Sequence, residues 1–242
     1  MKRYAVFTAR FALVPMISGP FVVSMTGRAS WLEWAHIVMG FATIYLIIGL
    51  LLIPAKQPGI RPPAVAALAL GLIEAIPGVP RLHAAVSPIL FATLASAVMT
   101  LDSGRETAQG KTRWIFALPA LVLLPIFYGV GYRHQTSGIV AHIGAALPVA
   151  GLLLCFCTVL NERNPAKKTL RRASNLTIAA VLFQIVLGIV VLIVRLLEIE
   201  GGLLLAVART AHITGAGPLL AASIELAIQY RRREFTSLQR AA

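Results

Sequence analysis

The sequence contains eight apolar runs, each close to the length that a helix needs to cross a lipid bilayer. A transmembrane helix takes about 20 predominantly apolar residues. We therefore predict an all-α membrane protein with eight transmembrane helices and the lipid bilayer as its surroundings. The runs cover roughly residues 8–26, 32–54, 62–79, 83–101, 114–132, 137–160, 174–196 and 203–229.

The composition agrees with a membrane protein that has little soluble mass. Hydrophobic residues make up 58% of the chain and charged residues 13%, against about 25% charged residues in soluble domains. A net charge of +13 would suggest nucleic acid in a soluble protein. Here the excess lies in the connections between spans, where Lys and Arg orient helices, so we expect no nucleic-acid partner.

The basic residues also predict an orientation. With the N-terminus placed in the cytoplasm, 17 of the 22 Lys and Arg residues fall on the cytoplasmic side. By the positive-inside rule, this predicts a multi-pass protein of a bacterial-type inner (cytoplasmic) membrane with both termini cytoplasmic. The five on the opposite side are Arg28, Arg81, Arg133, Arg195 and Arg209.

Four histidines fall on alternate spans, namely the second, fourth, sixth and eighth. They are His36, His83, His142 and His212, and three of them stand in the tripeptide Ala-His-Ile. All four spans run from outside to inside, so each imidazole is predicted within roughly 14 Å of the outer end. The fifth histidine, His134, falls in a short outer connection and is not a predicted ligand.

Imidazoles at one depth of a helical bundle suggest a haem. Two histidines on facing helices can hold haem iron, although one intramembrane histidine can equally make a structural hydrogen bond. The arginines on the same side are candidates for haem propionates or for the membrane interface, and they favour a macrocycle over a bare metal ion. These candidates are Arg28, Arg81, Arg133 and Arg209.

One carboxylate lies close to the first histidine in the sequence. Glu33 precedes His36 by one helical turn, which puts the two side chains on the same face of a helix. Two interpretations stay open: an acid–base group beside a haem edge, or an interfacial acid near Arg28.

The two halves of the chain look related. The second and sixth spans share Ala-His-Ile, and in the fourth and eighth spans a proline follows the histidine after five or six residues. We predict two pseudo-symmetric four-helix bundles, an N-terminal half of residues 1–108 and a C-terminal half of residues 109–242.

With these residues in place, nearly the whole chain resembles the haem A synthase family. The order of the motifs, with histidines on the even-numbered spans, is more specific than any one of them. The motifs are Glu33-x-x-His36, the Thr26-Gly27 turn after the first span, Gln184-Ile-Val-Leu-Gly188, and Ala211-His212 with the small residues that run to Ala222.

The resemblance implies a function and a role for each half. His142 and His212 match the ligands of the haem b cofactor, and His36 and His83 match those of the substrate haem. The implied reaction is oxidation of the methyl group of haem O to the formyl group of haem A, with Glu33 at the reacting edge. The implied partners are haem and either haem O synthase or respiratory oxidase subunits.

Two departures from the family keep other functions open. Ile37 and Ile143 stand where the family usually has arginine, and the outer connections are short. These features favour an electron-transfer subunit with bis-histidine b haems, while Glu33 favours the enzyme. A non-catalytic assembly subunit of a respiratory membrane complex is the third hypothesis.

Overall fold

The structure, a computed structural model, describes residues 2–24, 30–52, 60–102, 114–197 and 203–241. Every secondary-structure element in these ranges is a helix. The helices are α1 (Lys2–Phe11), α2 (Leu13–Ser24), α3 (Ser30–Leu52), α4 (Arg61–Glu74), α5 (Pro80–Asp102), α6 (Ala117–Arg133, after a 3₁₀ turn at Trp114–Phe116), α7 (Ile139–Arg163), α8 (Lys168–Leu196) and α9 (Leu203–Ala241).

The helices confirm the prediction of a helical, multi-pass membrane protein. Each of the eight predicted runs coincides with a helix or, for the first, with α1 and α2 in succession. Two are shorter than a full span: α6 has 17 residues and α4 has 14. Within the described ranges, six segments are long and apolar enough to cross a bilayer: Lys2–Ser24, Trp31–Leu52, Pro80–Met99, Ile139–Arg163, Lys168–Leu196 and Leu203–Arg231.

The first span is interrupted at Ala12, between α1 and α2. Pro15 explains the interruption, because it has no N–H to donate to the carbonyl of Phe11 four residues earlier. The backbone bonds from Ala12 to Thr8 and from Met16 to Ala12 continue on either side of the missing one. The chain therefore stays helical across the break.

The chain groups into two compact units, and each unit combines two separate stretches of the sequence. The first comprises Met1–Asp102 with Phe183–Pro218, and the second comprises Ser103–Leu182 with Leu219–Ala242. Helices α8 and α9 thus contribute one part to each unit. The division into pseudo-symmetric halves at residue 108 stays a prediction.

The core of the first unit is built largely from small side chains. Alanines of α1, α4 and α5 pack with a few leucines and isoleucines, which lets these helices approach α3 closely. The largest side chains of α3 point outward instead, with Trp34 69% and Tyr45 75% exposed. Such an arrangement would be costly in water and suits contact with lipid. The core residues include Ala5, Ala9, Ala12, Ile47, Leu50, Ala64, Ala67, Leu90, Leu94 and Ala97.

Candidate functional site

Two of the predicted site residues, His36 and His83, lie together in the first unit. Their ring centroids are 5.6 Å apart, and the ring planes are nearly perpendicular at 77°. His36 is on the second turn of α3 and His83 on the first turn of α5, and both side chains are partly buried. The structure thus brings together two imidazoles that are 47 positions apart in the sequence.

The orientation of the His36 ring depends on a serine of α2. Nδ1 of His36 lies 2.9 Å from the hydroxyl oxygen of Ser18, and that hydroxyl donates to the carbonyl of Pro15 at 3.3 Å. A hydroxyl has one proton, so a serine that donates to Pro15 accepts from Nδ1–H of His36. This arrangement leaves the lone pair on Nε2, where a metal can bind it.

The His83 ring is held by the end of the preceding helix. Its Nδ1 lies 3.1 Å from the carbonyl oxygen of Glu74, the last residue of α4, where carbonyls have no partner within their own helix. A carbonyl can only accept, so Nδ1 carries the proton and Nε2 the lone pair. The turn between α4 and α5 includes Gly78 with a φ of 79°, a conformation that glycine adopts readily.

The separation of the His36 and His83 rings can be compared with that of two histidines bound to one metal ion. A histidine nitrogen binds a metal at about 2.0–2.1 Å, so two rings on opposite sides of one ion would be about 6 Å apart between centres, close to the observed 5.6 Å. Both rings use Nδ1 for a hydrogen bond, as metal-binding histidines usually do with the nitrogen that does not bind the metal. In the described part of the chain no three His, Cys, Asp or Glu side chains gather as a metal site, whereas an axial pair needs only two.

Three histidine rings each pack against a glycine of the helix that precedes them. A methyl group built on these glycines would lie only 3.0, 3.1 and 3.2 Å from Cε1 of the facing ring. Glycine therefore leaves the space that each ring occupies. The pairs are Gly19 with His36, Gly129 with His142, and Gly188 with His212.

His212 has further support from Gln184 of α8. The side-chain amide of Gln184 donates to the backbone carbonyl of His212 at 3.1 Å. A methyl group on Gly215, one turn later, would lie 2.8 Å from the same amide nitrogen. The segment Gln184–Gly188, singled out from the sequence as family-like, therefore contacts His212 at both its ends.

In the second unit, His142 repeats the arrangement of the other rings. Its Nδ1 lies 2.9 Å from the carbonyl oxygen of Pro125 on α6, which again leaves the lone pair on Nε2. His134 follows α6 directly as its C-cap residue. His142 belongs to the second unit and His212 to the first, and their pairing as ligands of one haem stays a prediction.

The charged candidates have different surroundings, and their contacts with haem stay predictions. Glu33 is exposed in the first turn of α3, where the helix dipole favours a negative charge. Arg81 and Arg209 are exposed near the starts of α5 and α9, and Arg133 is partly buried in the last turn of α6. Arg28 lies outside the described residues.

The contacts of Ser18, Gly19 and Gly129 with the histidines were not predicted from the sequence. The glycines precede their histidines by 17 residues (19 to 36) and 13 residues (129 to 142). Because this spacing depends on the length of each connection, no fixed motif reveals the contact.

The fold and the site define a multi-pass helical membrane protein with a close pair of imidazoles between its helices. Comparisons with protein-family models and with curated proteins found no match. The function is therefore proposed from the geometry of the site and from the sequence motifs.

Proposed function

We propose that this chain is a haem-binding membrane oxidoreductase of the haem A synthase type, with His36 and His83 as the ligands of the substrate haem. The observation that supports this most is the 5.6 Å approach of the two rings, each with Nδ1 in a hydrogen bond. A bound haem supplies an iron redox centre, and the reaction implied by the resemblance converts the methyl group of haem O to the formyl group of haem A.

The chain's own residues hold the two ligands in their metal-binding form. Ser18 and the carbonyl of Glu74 accept from the two Nδ1–H groups and orient the rings, as second-shell partners of metal-binding histidines do. Gly19 leaves room on α2 for the His36 ring, whose Cε1 is its nearest atom.

The resemblance also assigns a haem b cofactor to His142 and His212. Each ring packs against a glycine in its own unit, as His36 does, and His142 has a carbonyl acceptor for Nδ1. Histidines that all serve as haem ligands would each need such room beside a neighbouring helix. The eight spans would then form two four-helix bundles with both termini in the cytoplasm, as the distribution of Lys and Arg favours.

Glu33 is the proposed acid–base residue. Its position one turn before His36 keeps the two residues on neighbouring parts of α3. The carboxylate is the form of this side chain that would accept a proton. Haem O synthase and respiratory oxidase subunits are the partners that this activity would require.

An electron-transfer subunit is the second candidate, and specific side chains favour it. Ile37 and Ile143, where the family has arginine, are 44% and 38% exposed and offer no cation to a propionate. Glu33 is exposed as well. The same histidines would then hold permanent b haems near the outer surface. The non-catalytic assembly subunit is the remaining alternative.

Identification of the bound pigment separates these functions. The protein is expressed in a host that makes haem O, purified, and characterised by its pyridine haemochrome spectrum and by chromatography of the extracted haem. Haem O or haem A beside haem B supports the synthase. Haem B alone supports electron transfer, and a haem-free protein contradicts both.

The Glu33→Gln variant tests the catalytic assignment. We expect it to accumulate haem O with little haem A, because an amide does not accept the proton that a carboxylate accepts. Glu162→Gln is the matched control, since this acid is exposed at the far end of α7, and it should leave the haem A yield unchanged. A Glu33→Gln variant that makes haem A at the normal rate would remove this role.

A further inference from the structure

A basic cavity lies at the start of α8, in the second unit. No histidine is among its lining residues. It is open and shallow, with a volume of about 420 Å³. Its lining residues recur at intervals of three and four positions, which places them on one face of the helix. They are Lys168, Arg171, Arg172, Asn175 and Leu176.

The part of this face nearest the start of α8 is positively charged and accessible to solvent. Lys168, Arg171 and Arg172 are all exposed, and the first turn of α8 contains no acidic residue. Arg171 donates from one guanidinium nitrogen to the carbonyl of Pro165 at 3.1 Å. That bond anchors the side chain beside the cavity and leaves the other guanidinium donors for a ligand.

The polarity of the face changes along the helix axis. Asn175 accepts a hydrogen bond from the amide of Asn161 at 2.8 Å, which leaves its own NH₂ group able to donate. One residue further, Leu176 is 45% exposed, and Leu182 on the following turns is 49% exposed. Cations, then an amide donor, then aliphatic side chains follow one another from the end of the helix toward its middle.

We propose that this face, residues 168–182 of α8, binds one anionic phospholipid. Its phosphate would contact Lys168, Arg171 and Arg172, since guanidinium groups bind phosphate through paired N–H donors. Its acyl chain would follow the exposed leucines. A soluble phosphate would use the cations alone, whereas the continuous apolar stripe of a 29-residue apolar helix matches a ligand that is itself embedded in the bilayer.

Lipid titration of the full-length protein tests this site. Dioleoyl phosphatidylglycerol or dioleoyl phosphatidylcholine is added to the protein in nonionic detergent, and native mass spectrometry counts the bound lipids. We expect one phosphatidylglycerol to bind at least tenfold more tightly than phosphatidylcholine. Equal retention of the two lipids would overturn the proposal.

Variants identify the residues and separate specific binding from general attraction. Arg171→Gln with Arg172→Gln should weaken phosphatidylglycerol binding by about 25-fold, at about fivefold for each cation near a membrane surface. Lys168→Gln, at the exposed first residue of α8 where folding tolerates it, should weaken binding by about fivefold. Arg163→Gln is the control, because Arg163 is exposed at the end of α7 and does not line the cavity.

Two further outcomes decide against a lipid site. If Arg163→Gln weakens binding as much as Lys168→Gln does, the attraction is a property of the whole basic surface. If inorganic phosphate at millimolar concentration displaces the lipid, the cations form a site for soluble anions. Circular dichroism of each variant confirms that its helices are intact.

Discussion

The α2–α3 pair of the first unit and the α6–α7 pair of the second unit support a histidine in nearly the same way. In both, the ring lies against a glycine of the earlier helix, and Nδ1 is 2.9 Å from an oxygen of that helix. The oxygens differ in kind: His36 meets the hydroxyl of Ser18, and His142 meets the backbone carbonyl of Pro125.

This difference bears on how firmly each ring is fixed in one protonation state. A carbonyl only accepts, so its bond to His142 requires a proton on Nδ1. A hydroxyl can turn and either accept or donate, so Ser18 could follow a change of tautomer at His36, but only by giving up its bond to Pro15. His83, the other proposed ligand of the substrate haem, also meets a backbone carbonyl, so the two members of that pair differ in the same way.

The largest effects are expected from removal of the imidazoles themselves. His36→Ala and His142→Ala should each lower the bound haem by about one per chain, because each change removes a proposed axial ligand. The measurement is the ratio of haem to protein after purification. His134→Ala is the control and should keep the full content, and a wild-type ratio in both alanine variants would refute the assignment.

Intermediate effects are expected when the glycines behind the rings gain a methyl group. Gly19→Ala and Gly129→Ala place a carbon 3.0 and 3.1 Å from the ring, so the imidazole must shift. Overpacking of this kind costs about 1–3 kcal/mol, and we expect faster loss of haem on heating.

Two other glycines serve as matched controls for these variants. A methyl group on Gly40 of α3 or Gly144 of α7 would meet nothing within 4 Å. Alanine there should leave haem retention unchanged and should stabilise the helix slightly, by up to about 1 kcal/mol. Equal loss of haem from the control and test variants would show that the ring contact is unimportant.

The smallest effect is expected from Ser18→Ala, and it separates the two helix pairs most directly. Loss of one hydrogen bond costs about 1 kcal/mol, so the midpoint potential of the haem at His36 should shift while the signal of the second haem stays. Redox titration followed by visible absorption measures both. Ser137→Ala is the control, because that hydroxyl donates to Tyr128, and a shift of equal size in the control would contradict the role of Ser18.

The helices could be predicted from the sequence because a helix that crosses a bilayer needs a long run of apolar residues. Their ends could not. Helix α1 begins at Lys2 and α8 at Lys168, six residues before the predicted starts at 8 and 174, because charged residues continue a helix beyond its apolar part. The division of α8 and α9 between two compact units also depends on packing that no apolar run records.

The approach of His36 to His83 could be predicted from the sequence, but the hydrogen bonds that hold the two rings could not. Histidines on alternate spans pointed to a shared layer, and the structure places His36 beside His83. The acceptors of their Nδ1 protons could not be predicted, since one is a serine hydroxyl and the other a backbone carbonyl at the end of α4. Backbone carbonyls are present at every residue, so only the fold selects the one that is used.

We propose above all that His36 and His83 are the two axial ligands of one haem iron. Near-infrared magnetic circular dichroism of the oxidised protein tests it most directly, because the charge-transfer band of low-spin ferric haem reports the identity of both ligands. We predict a bis-imidazole band in the wild type that loses the same component in His36→Ala and in His83→Ala. A band that persists unchanged in either variant would contradict the claim.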